Sequence, residues 1–302
     1  MRISLTRITQ MAIASAQLYG LLLLGFMLGS CGLVASQPGV AEQTRAIASP
    51  VAESVNIVST PSTSTLWAGE FSEENWMEAW GAKRQGRWGL QNLEVMTDPT
   101  RTFDQILRVH YPSGSASPSV ARESGVPIGG AQFYANLNLA PQNKLRLSYY
   151  VRFSEDFDFV KGGKLPGLFG GVGNSGGIAP DGTDGFSTRF MWRRQGDGEV
   201  YAYIPSSDEY GTSIGRGDWQ FRQGTWHHIE QELTLNQPGQ EDGRIQVWFD
   251  GTKVLDQDSL VFRTVDRLKI DGLFFSTFFG GGDPSWATPK DVYADFAEFK
   301  VQ

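Results

Sequence analysis

Cysteine, histidine and positive charge are scarce in this chain of 302 residues, and each shortage excludes a class of structure or chemistry. Cys31 is the only cysteine, so no disulfide bond can form within one subunit. A formal net charge of -7 argues against nucleic acid as a partner, because binding a phosphate backbone needs an excess of cations. Neither a zinc site nor any other cofactor is expected, since the histidines lack the spacing of metal ligands; they are His110, His227 and His228.

The first 31 residues have the features of an export signal. Arg2 and Arg7 precede an apolar run at residues 21–27, which is shorter than the about 20 residues that span a bilayer. Residues 1–30 are therefore predicted to be a signal peptide, and Leu-Gly-Ser-Cys at 28–31 resembles a bacterial lipobox, in which the cysteine is lipidated. An ordinary secretory signal with a chance cysteine is the alternative.

The lipobox reading predicts where the protein is found. We expect it to be exported and anchored through a lipid on Cys31, facing the periplasm or the cell exterior. Gly32 stands where retention at the inner membrane typically requires aspartate, so the outer membrane is favoured. The membrane is then a partner only through this lipid anchor.

Two segments are predicted after the signal peptide. Residues 31–65 are rich in small and polar residues and cannot bury enough apolar surface to offset chain entropy, which predicts a flexible tether. Residues 66–302 contain no second linker and no internal repeat, which predicts one domain, expected to be a monomer. A domain of this length can bury a core without disulfide bonds.

Alternating apolar and polar residues predict an all-β fold for this domain. Lys144–Phe153 alternates throughout, with Leu147 and Tyr149 on one face and Tyr150 on the other. Asp-Gly at 250–251 follows another alternating run and is a hairpin signal. Many short strands with glycine-rich turns predict a two-sheet antiparallel β-sandwich of the jelly-roll, concanavalin-like kind. One sheet of such a sandwich is often concave, and its concave face would form a cleft for an extended substrate.

A hairpin is predicted from Gly185–Arg193 and residues 199–204. The apolar residues of both strands are expected to face the core, and a slip of one residue would expose one of these sets. A turn that closes at Gly196 would place Arg189 across from Tyr203. The face opposite the core then carries four polar side chains, namely Ser187, Arg189, Tyr201 and Tyr203.

Three motifs in this region resemble polysaccharide lyase family 14, the alginate and glucuronan lyases with a β-jelly-roll fold. They are G-G-K-L-P-G at 162–167, S-x-R-x-x-W at 187–192 and Y-x-Y at 201–203. The resemblance is concentrated in residues 161–205 and extends more weakly to the C-terminal strands. It implies a catalytic set that falls on Lys164, Ser187, Arg189, Tyr201 and Tyr203.

The implied reaction is β-elimination on a uronic-acid polymer, which removes the proton on C5 and expels the oxygen on C4. The substrate carboxylate must be neutralised first, and Arg189 suits this task because its fork can donate two hydrogen bonds to it. Lys164 is the other candidate, and Ser187 would add a hydrogen bond. A tyrosine, held as phenolate by these cations, would serve as base and acid. Tyr203 is preferred to Tyr201 because it is expected beside Arg189, but the two tyrosines could exchange roles.

The expected partner is an anionic polysaccharide, although the whole chain is acidic. A locally positive strip would resolve this conflict, and it includes Arg216 beside the expected substrate-binding residues. Those residues are Lys161, Arg193, Arg194 and Trp286.

Two other functions compete with the lyase interpretation. A glycoside hydrolase on a similar sandwich needs paired carboxylates, but Glu230 and Glu232 share a face without a third partner. A non-catalytic carbohydrate-binding lipoprotein would also use arginine, lysine and tyrosine. It would have no need of a tyrosine acid and base, however, and all five motif positions are present.

Overall fold

The computed structural model describes residues 64–71 and 74–302. The expected signal peptide, Cys31 and most of the tether lie outside these residues. The described part contains fourteen strands and two short helices, α1 (Trp76–Ala79) and α2 (Pro118–Ser124). No helix within it is long and apolar enough to cross a membrane. The strands are β1 (Trp67–Ala68), β2 (Leu93–Thr97), β3 (Gln105–Tyr111), β4 (Ala131–Ala135), β5 (Lys144–Phe153), β6 (Gly162–Gly171), β7 (Gly185–Arg193), β8 (Gly198–Tyr203), β9 (Thr212–Ile214), β10 (His227–Thr234), β11 (Gly243–Phe249), β12 (Thr252–Leu260), β13 (Gly272–Phe279) and β14 (Val292–Val301).

These strands form two antiparallel sheets, which confirms the predicted all-β sandwich. The larger sheet has the order β12-β11-β10-β5-β14-β3-β2, and β1 pairs with β14. The smaller sheet has the order β4-β13-β6-β7-β8-β9. Strands distant in sequence are therefore neighbours in the smaller sheet, where β13 lies between β4 and β6.

The core lies between the inner faces of the two sheets. On β5, Leu147 and Tyr149 are fully buried as the alternation predicts, and Tyr149 Oη donates a hydrogen bond to the Pro166 carbonyl of the smaller sheet. Gln231 interrupts the apolar face of β10, but Thr188 Oγ1 of β7 donates a 2.7 Å hydrogen bond to its side chain. This polar pair is fully buried between the sheets, and the hydrogen bond offsets part of its desolvation, although Gln231 Nε2 has no partner.

The β7–β8 hairpin has the predicted faces but a different register. Arg189 pairs with Tyr201, so the expectation that it lies across from Tyr203 is wrong. The turn is centred on Gln195, which adopts a positive φ of 61°, rather than closing at Gly196. The resulting shift of two residues keeps every side chain on its predicted face, because side chains alternate with a period of two.

Candidate active site

The polar side chains of the three motifs meet on the outer face of the smaller sheet, which we call the site face. Lys164 comes from β6, Ser187 and Arg189 from β7, and Tyr201 and Tyr203 from β8. These strands are direct neighbours, and Arg189 lies between Gly167 on one side and Tyr201 on the other. The structure thus brings all five motif residues together.

Arg189 is a buried cation that reaches across a neighbouring strand. Its Nη1 donates a 3.1 Å hydrogen bond to Ser276 Oγ on β13, and the guanidinium carbon lies 4.7 Å from the Phe274 ring centroid. The path crosses β6 at Gly167, where no side chain stands in the way. Among the described residues no carboxylate pairs with Arg189, and its buried Nε has no hydrogen-bond partner. The arrangement leaves part of the guanidinium fork free to bind an anion.

Lys164 is a second buried cation without a carboxylate partner in the described part of the chain. Its Nζ lies 2.9 Å from Met191 Sδ and 4.0 Å from the centroid of the Tyr201 ring. Burial, followed by the charges of Arg189 and Arg193, lowers the pKa of Lys164 well below its usual value. This shift favours the neutral amine, which is the form of a lysine that can accept a proton.

The two tyrosines differ in exposure and in their hydrogen bonds. Tyr201 is half-buried, and burial together with the neighbouring Tyr203 raises its pKa to about 12. This shift disfavours a phenolate at Tyr201, so the neutral phenol is the form of Tyr201 present at ordinary pH. Tyr203 is buried, and its hydroxyl accepts a 3.1 Å hydrogen bond from the Gly177 amide.

Ser187 and Tyr203 both contact the glycine-rich segment 172–178. Ser187 Oγ donates a 2.6 Å hydrogen bond to the Asn174 carbonyl, close in sequence to the Gly177 amide that Tyr203 binds. Both residues therefore attach this segment to the site face.

Arg193 is not a free cation of the site face. Its guanidinium donates to the fully buried Glu199 carboxylate, with Nη2 2.6 Å and Nε 2.8 Å from Oε1. Arg216 Nε lies 3.9 Å from the other oxygen of Glu199. The expected positive strip is thus partly neutralised at this end, and among the described residues Arg189 and Lys164 remain as its buried basic side chains without an ion-pair partner.

The other expected binding residues lie at the margins of the site face. Lys161 Nζ binds Ser285 Oγ and lies 5.8 Å from the Trp286 ring centroid. Trp286 packs against Gly281. The preceding residue, Gly280, lies near Lys164, because a Cβ added to it would be 3.8 Å from Lys164 Nζ. Arg194 is not part of this group, because it lines a cavity of about 760 Å³ at the β7–β8 turn together with several acidic residues.

The carboxylates considered for glycoside hydrolysis lie on the other sheet. Glu230 pairs with Arg146 at 2.8 Å, and Glu232 pairs with Lys144 at 2.9 Å, both across β10 and β5. Within residues 64–71 and 74–302, no cluster of three or more acidic, histidine or cysteine side chains could hold a metal ion. The chemistry that the site face offers comes from its lysine, arginine and phenols.

Sequence reasoning missed several residues of the site. Met191 and Glu199 lie on the hairpin face predicted to be opposite the core. Their residue types gave no indication that Met191 contacts Lys164 or that Glu199 pairs with Arg193. Ser276 lies on β13 and donates a hydrogen bond to Gln132 on β4. Both strands are distant in sequence from the three motifs. Only the pairing of β13 with β4 and β6 brings them near Arg189, and no local pattern encodes that pairing.

Comparisons with known proteins show which family and which solved structures this chain resembles. The family model of polysaccharide lyase 14 matches residues 99–299. The crystal structure of the marine PL-14 alginate lyase from Aplysia kurodai is 32% identical, with a TM-score of 0.68, and the match covers 80% of this chain and 99% of that one. The alginate lyase Aly36B is 26% identical, with a TM-score of 0.62 and coverage of 80% and 93%.

A variant of Aly36B has also been solved with an alginate tetrasaccharide. In it a lysine and a tyrosine are replaced by alanine, and it is 25% identical to this chain, with a TM-score of 0.63 and coverage of 78% and 92%. A search of curated protein sequences gave no match.

Proposed function

The chain belongs to polysaccharide lyase family 14, and we propose that it cleaves a uronic-acid polymer of the alginate type by β-elimination. The observation that carries this proposal is a buried cation without a carboxylate partner, Arg189, on the same face as the Lys164 amine and the Tyr201 phenol. Burying unpaired charge is costly unless a ligand supplies the missing opposite charge. A uronate carboxylate supplies it, and every residue of an alginate chain carries one.

Arg189 is proposed to bind the carboxylate of the sugar whose C5 proton is removed. Ser276 fixes one end of the guanidinium through Nη1, which leaves its remaining donors to contact the carboxylate. Neutralising the carboxylate lets negative charge build up next to it when the C5–H bond breaks, the electrostatic task that usually dominates such a reaction. Ser187 is proposed to assist once substrate displaces its bond to the Asn174 carbonyl.

Lys164 and Tyr201 are proposed as base and acid. The lowered pKa of Lys164 favours a neutral amine, which can take the C5 proton, while the pKa of Tyr201 near 12 keeps a proton available for O4. The electrons of the C5–H bond form the C4=C5 double bond, and the C4–O4 bond breaks with its electron pair on the protonated oxygen. The Aly36B variant that holds an alginate tetrasaccharide lacks a lysine and a tyrosine, the same residue types.

The decisive experiment is product analysis with the purified domain, residues 66–302. Incubation with alginate and with other uronate polymers should increase ultraviolet absorbance, because each cut leaves a C4=C5 double bond on the new non-reducing end. Saturated reducing sugars would mean hydrolysis and would defeat the proposal. Binding without cleavage of any polymer would leave the non-catalytic carbohydrate-binding alternative.

We also propose that the protein is exported and anchored through a lipid on Cys31, with residues 31–65 as the tether. The support is the lipobox-like sequence at 28–31 and the composition of the following segment. Cys31→Ala should leave the lyase activity intact and move the protein from the membrane fraction to the soluble fraction. Unchanged membrane partitioning of this variant would contradict the anchor.

A further inference from the structure

A cavity of about 350 Å³ lies beside the site face, at its β4 edge. This volume falls within the range of about 300–1,000 Å³ typical of small-ligand sites. The lining combines a cation, two aromatic rings and a glycine-rich wall, and it consists of Lys83, Gln85, Gly86, Tyr134, Phe169, Gly171 and Val172. None of these residues belongs to the three motifs, although Phe169 and Gly171 lie on β6 after the first of them.

Two aromatic rings connect this cavity to Arg189. The Arg189 guanidinium lies 4.7 Å from the Phe274 ring centroid, and the Phe274 ring stacks on Tyr134 with centroids 4.1 Å apart. Tyr134 stands on β4, next to Phe274 on β13. A polymer whose reacting sugar is bound at Arg189 can therefore extend across β13 and reach the cavity with a neighbouring sugar.

The cavity has the chemistry that a uronate residue requires. Lys83 is an exposed cation that forms no ion pair within the described residues, and its Nζ lies 4.9 Å from the Phe169 ring centroid. Its backbone amide donates a 2.7 Å hydrogen bond to the Tyr134 carbonyl, which fixes Lys83 at the mouth of the cavity. The nearby Asp271 carboxylate is already bound by the Gly171 amide at 2.6 Å.

Two glycines lie close to the Tyr134 ring, which lines the cavity. A Cβ at Gly86 would lie 3.2 Å from the Tyr134 ring, and one at Gly173 would lie 2.5 Å from it. The Tyr134 hydroxyl donates a 3.1 Å hydrogen bond to the Gly173 carbonyl, so the ring has one orientation. Val172 is 63% exposed at the rim and offers an apolar contact for the CH face of a sugar.

From this geometry we propose that Lys83 and Tyr134 form a binding subsite for a second uronate residue of the same polymer, at one side of the reacting sugar. The inference rests on the proposed lyase function, since it takes the same polymer as ligand. Lys83 binds the carboxylate of the distal sugar, and Tyr134 packs against its ring. Each sugar bound there helps to align the scissile bond over Arg189, so long chains bind better than short ones.

Steady-state kinetics on substrates of different length tests the subsite. Lys83→Gln should raise the KM for sodium alginate about three- to tenfold with kcat little changed, because it removes one charge contact. Lys83→Glu should raise the KM further. On alginate oligosaccharides of two to six residues, the effect should vanish for those too short to reach the cavity. Lys144→Gln, an exposed lysine on the larger sheet, is the matched control and should behave as the unmodified protein.

Two results would overturn the subsite. One is an unchanged KM for sodium alginate in both Lys83 variants with unaltered melting temperatures. The other is an equal loss at every substrate length or in the Lys144→Gln control, which would indicate a general charge effect. If the unmodified domain forms no unsaturated product, the proposed lyase function fails separately. Calorimetric binding of an alginate hexasaccharide then decides the subsite, which requires weaker binding by Lys83→Gln.

Discussion

Glu199 is a fully buried carboxylate on a surface proposed to bind an anionic polymer. It holds Arg193 through two contacts to Oε1, and the Arg193 guanidinium lies 5.6 Å from the Tyr201 ring centroid. Glu199 also acts on Lys164, because its negative charge favours the ammonium form and partly opposes the lowering of the pKa of Lys164. The pair Glu199–Arg193 therefore contributes to the electrostatic environment of Lys164.

Removing Glu199 and removing Arg193 should shift the pH dependence of turnover in opposite directions. Glu199→Gln removes a negative charge, lowers the pKa of Lys164 further and moves the rising limb of the kcat–pH profile to lower pH. Arg193→Gln removes a positive charge, raises that pKa and moves the limb to higher pH. A shift of about one pH unit is expected in each case. The measurement is kcat on alginate between pH 5 and 10, with buffer ionic strength held constant.

A structural defect alone would lower kcat of both variants without separating the rising limbs of their kcat–pH profiles. Glu232→Gln, on the larger sheet and paired with Lys144, is the control and should leave the profile in place. Shifts of the same sign in the two site variants would contradict the assignment of the limb to Lys164.

The hydroxyl groups of Tyr201 and Tyr203 should differ in importance. Tyr201→Phe removes the proposed acid next to Lys164 and should reduce kcat by a factor of about 10² to 10³. Tyr203→Phe removes the acceptor of the Gly177 amide and should cost about tenfold or less. Both variants should keep their melting temperatures within a few degrees. Near-normal turnover of Tyr201→Phe, with a dead Tyr203→Phe, would show that Tyr203 is the acid.

Strand β6 contributes to the site through a residue that has no side chain. Gly167 pairs with Arg189, and a Cβ added to it would lie 2.1 Å from the Thr188 carbonyl oxygen and 2.6 Å from Arg189 Cα. Real Cβ atoms do not approach backbone atoms so closely, so β6 and β7 would have to move apart. Arg189 would then lose its position beside Ser276.

Gly167→Ala should therefore impair both stability and catalysis. We expect a loss of about 1–3 kcal/mol in the free energy of unfolding, as overpacking in a dense interior typically causes, and a strong decrease in kcat/KM. Chemical denaturation and initial rates measure the two effects. Gly282→Ala is the control, because a Cβ there would meet nothing within 4 Å. Wild-type behaviour of Gly167→Ala would mean that the strands adapt without moving Arg189.

Elements with a local signal could be predicted from the sequence, and those defined by distant pairing could not. The bounds of β5 and β7 match the expected Lys144–Phe153 and Gly185–Arg193, because a buried face imposes strict alternation. Helix α2 was missed although it carries a readable signature, with Pro118 in its first turn and Gly125 ending it at a positive φ of 68°. The register of β7 with β8 was mispredicted because a non-glycine residue, Gln195, takes the left-handed turn position.

At the scale of the whole molecule, the sequence was sufficient to identify the family, the sandwich and the five motif residues. It could not reveal which charges compensate each other. The Arg193–Glu199 pair and the unpaired state of Arg189 depend on side-chain positions in neighbouring strands. Lys83 was not singled out because it precedes the motifs by about eighty residues and only the fold places it near them.

The molecule is acidic overall, but its site face is cationic. We therefore expect kcat/KM to pass through a maximum as the salt concentration increases. With a net charge of -7, the molecule repels an anionic polymer at long range, while Arg189 and Lys83 attract it at contact. Salt screens the long-range repulsion first, because the Debye length falls to about 10 Å at about 0.1 M ionic strength. Higher salt then weakens the contacts themselves.

We therefore expect kcat/KM for sodium alginate to rise up to about 0.1 M NaCl and to fall beyond it, with kcat nearly constant. An alginate trisaccharide carries few charges and should show only a shallow dependence. A monotonic fall from the lowest salt would mean that the local field of the site face already dominates at long range. A monotonic rise would mean that the proposed cationic contacts contribute little to binding.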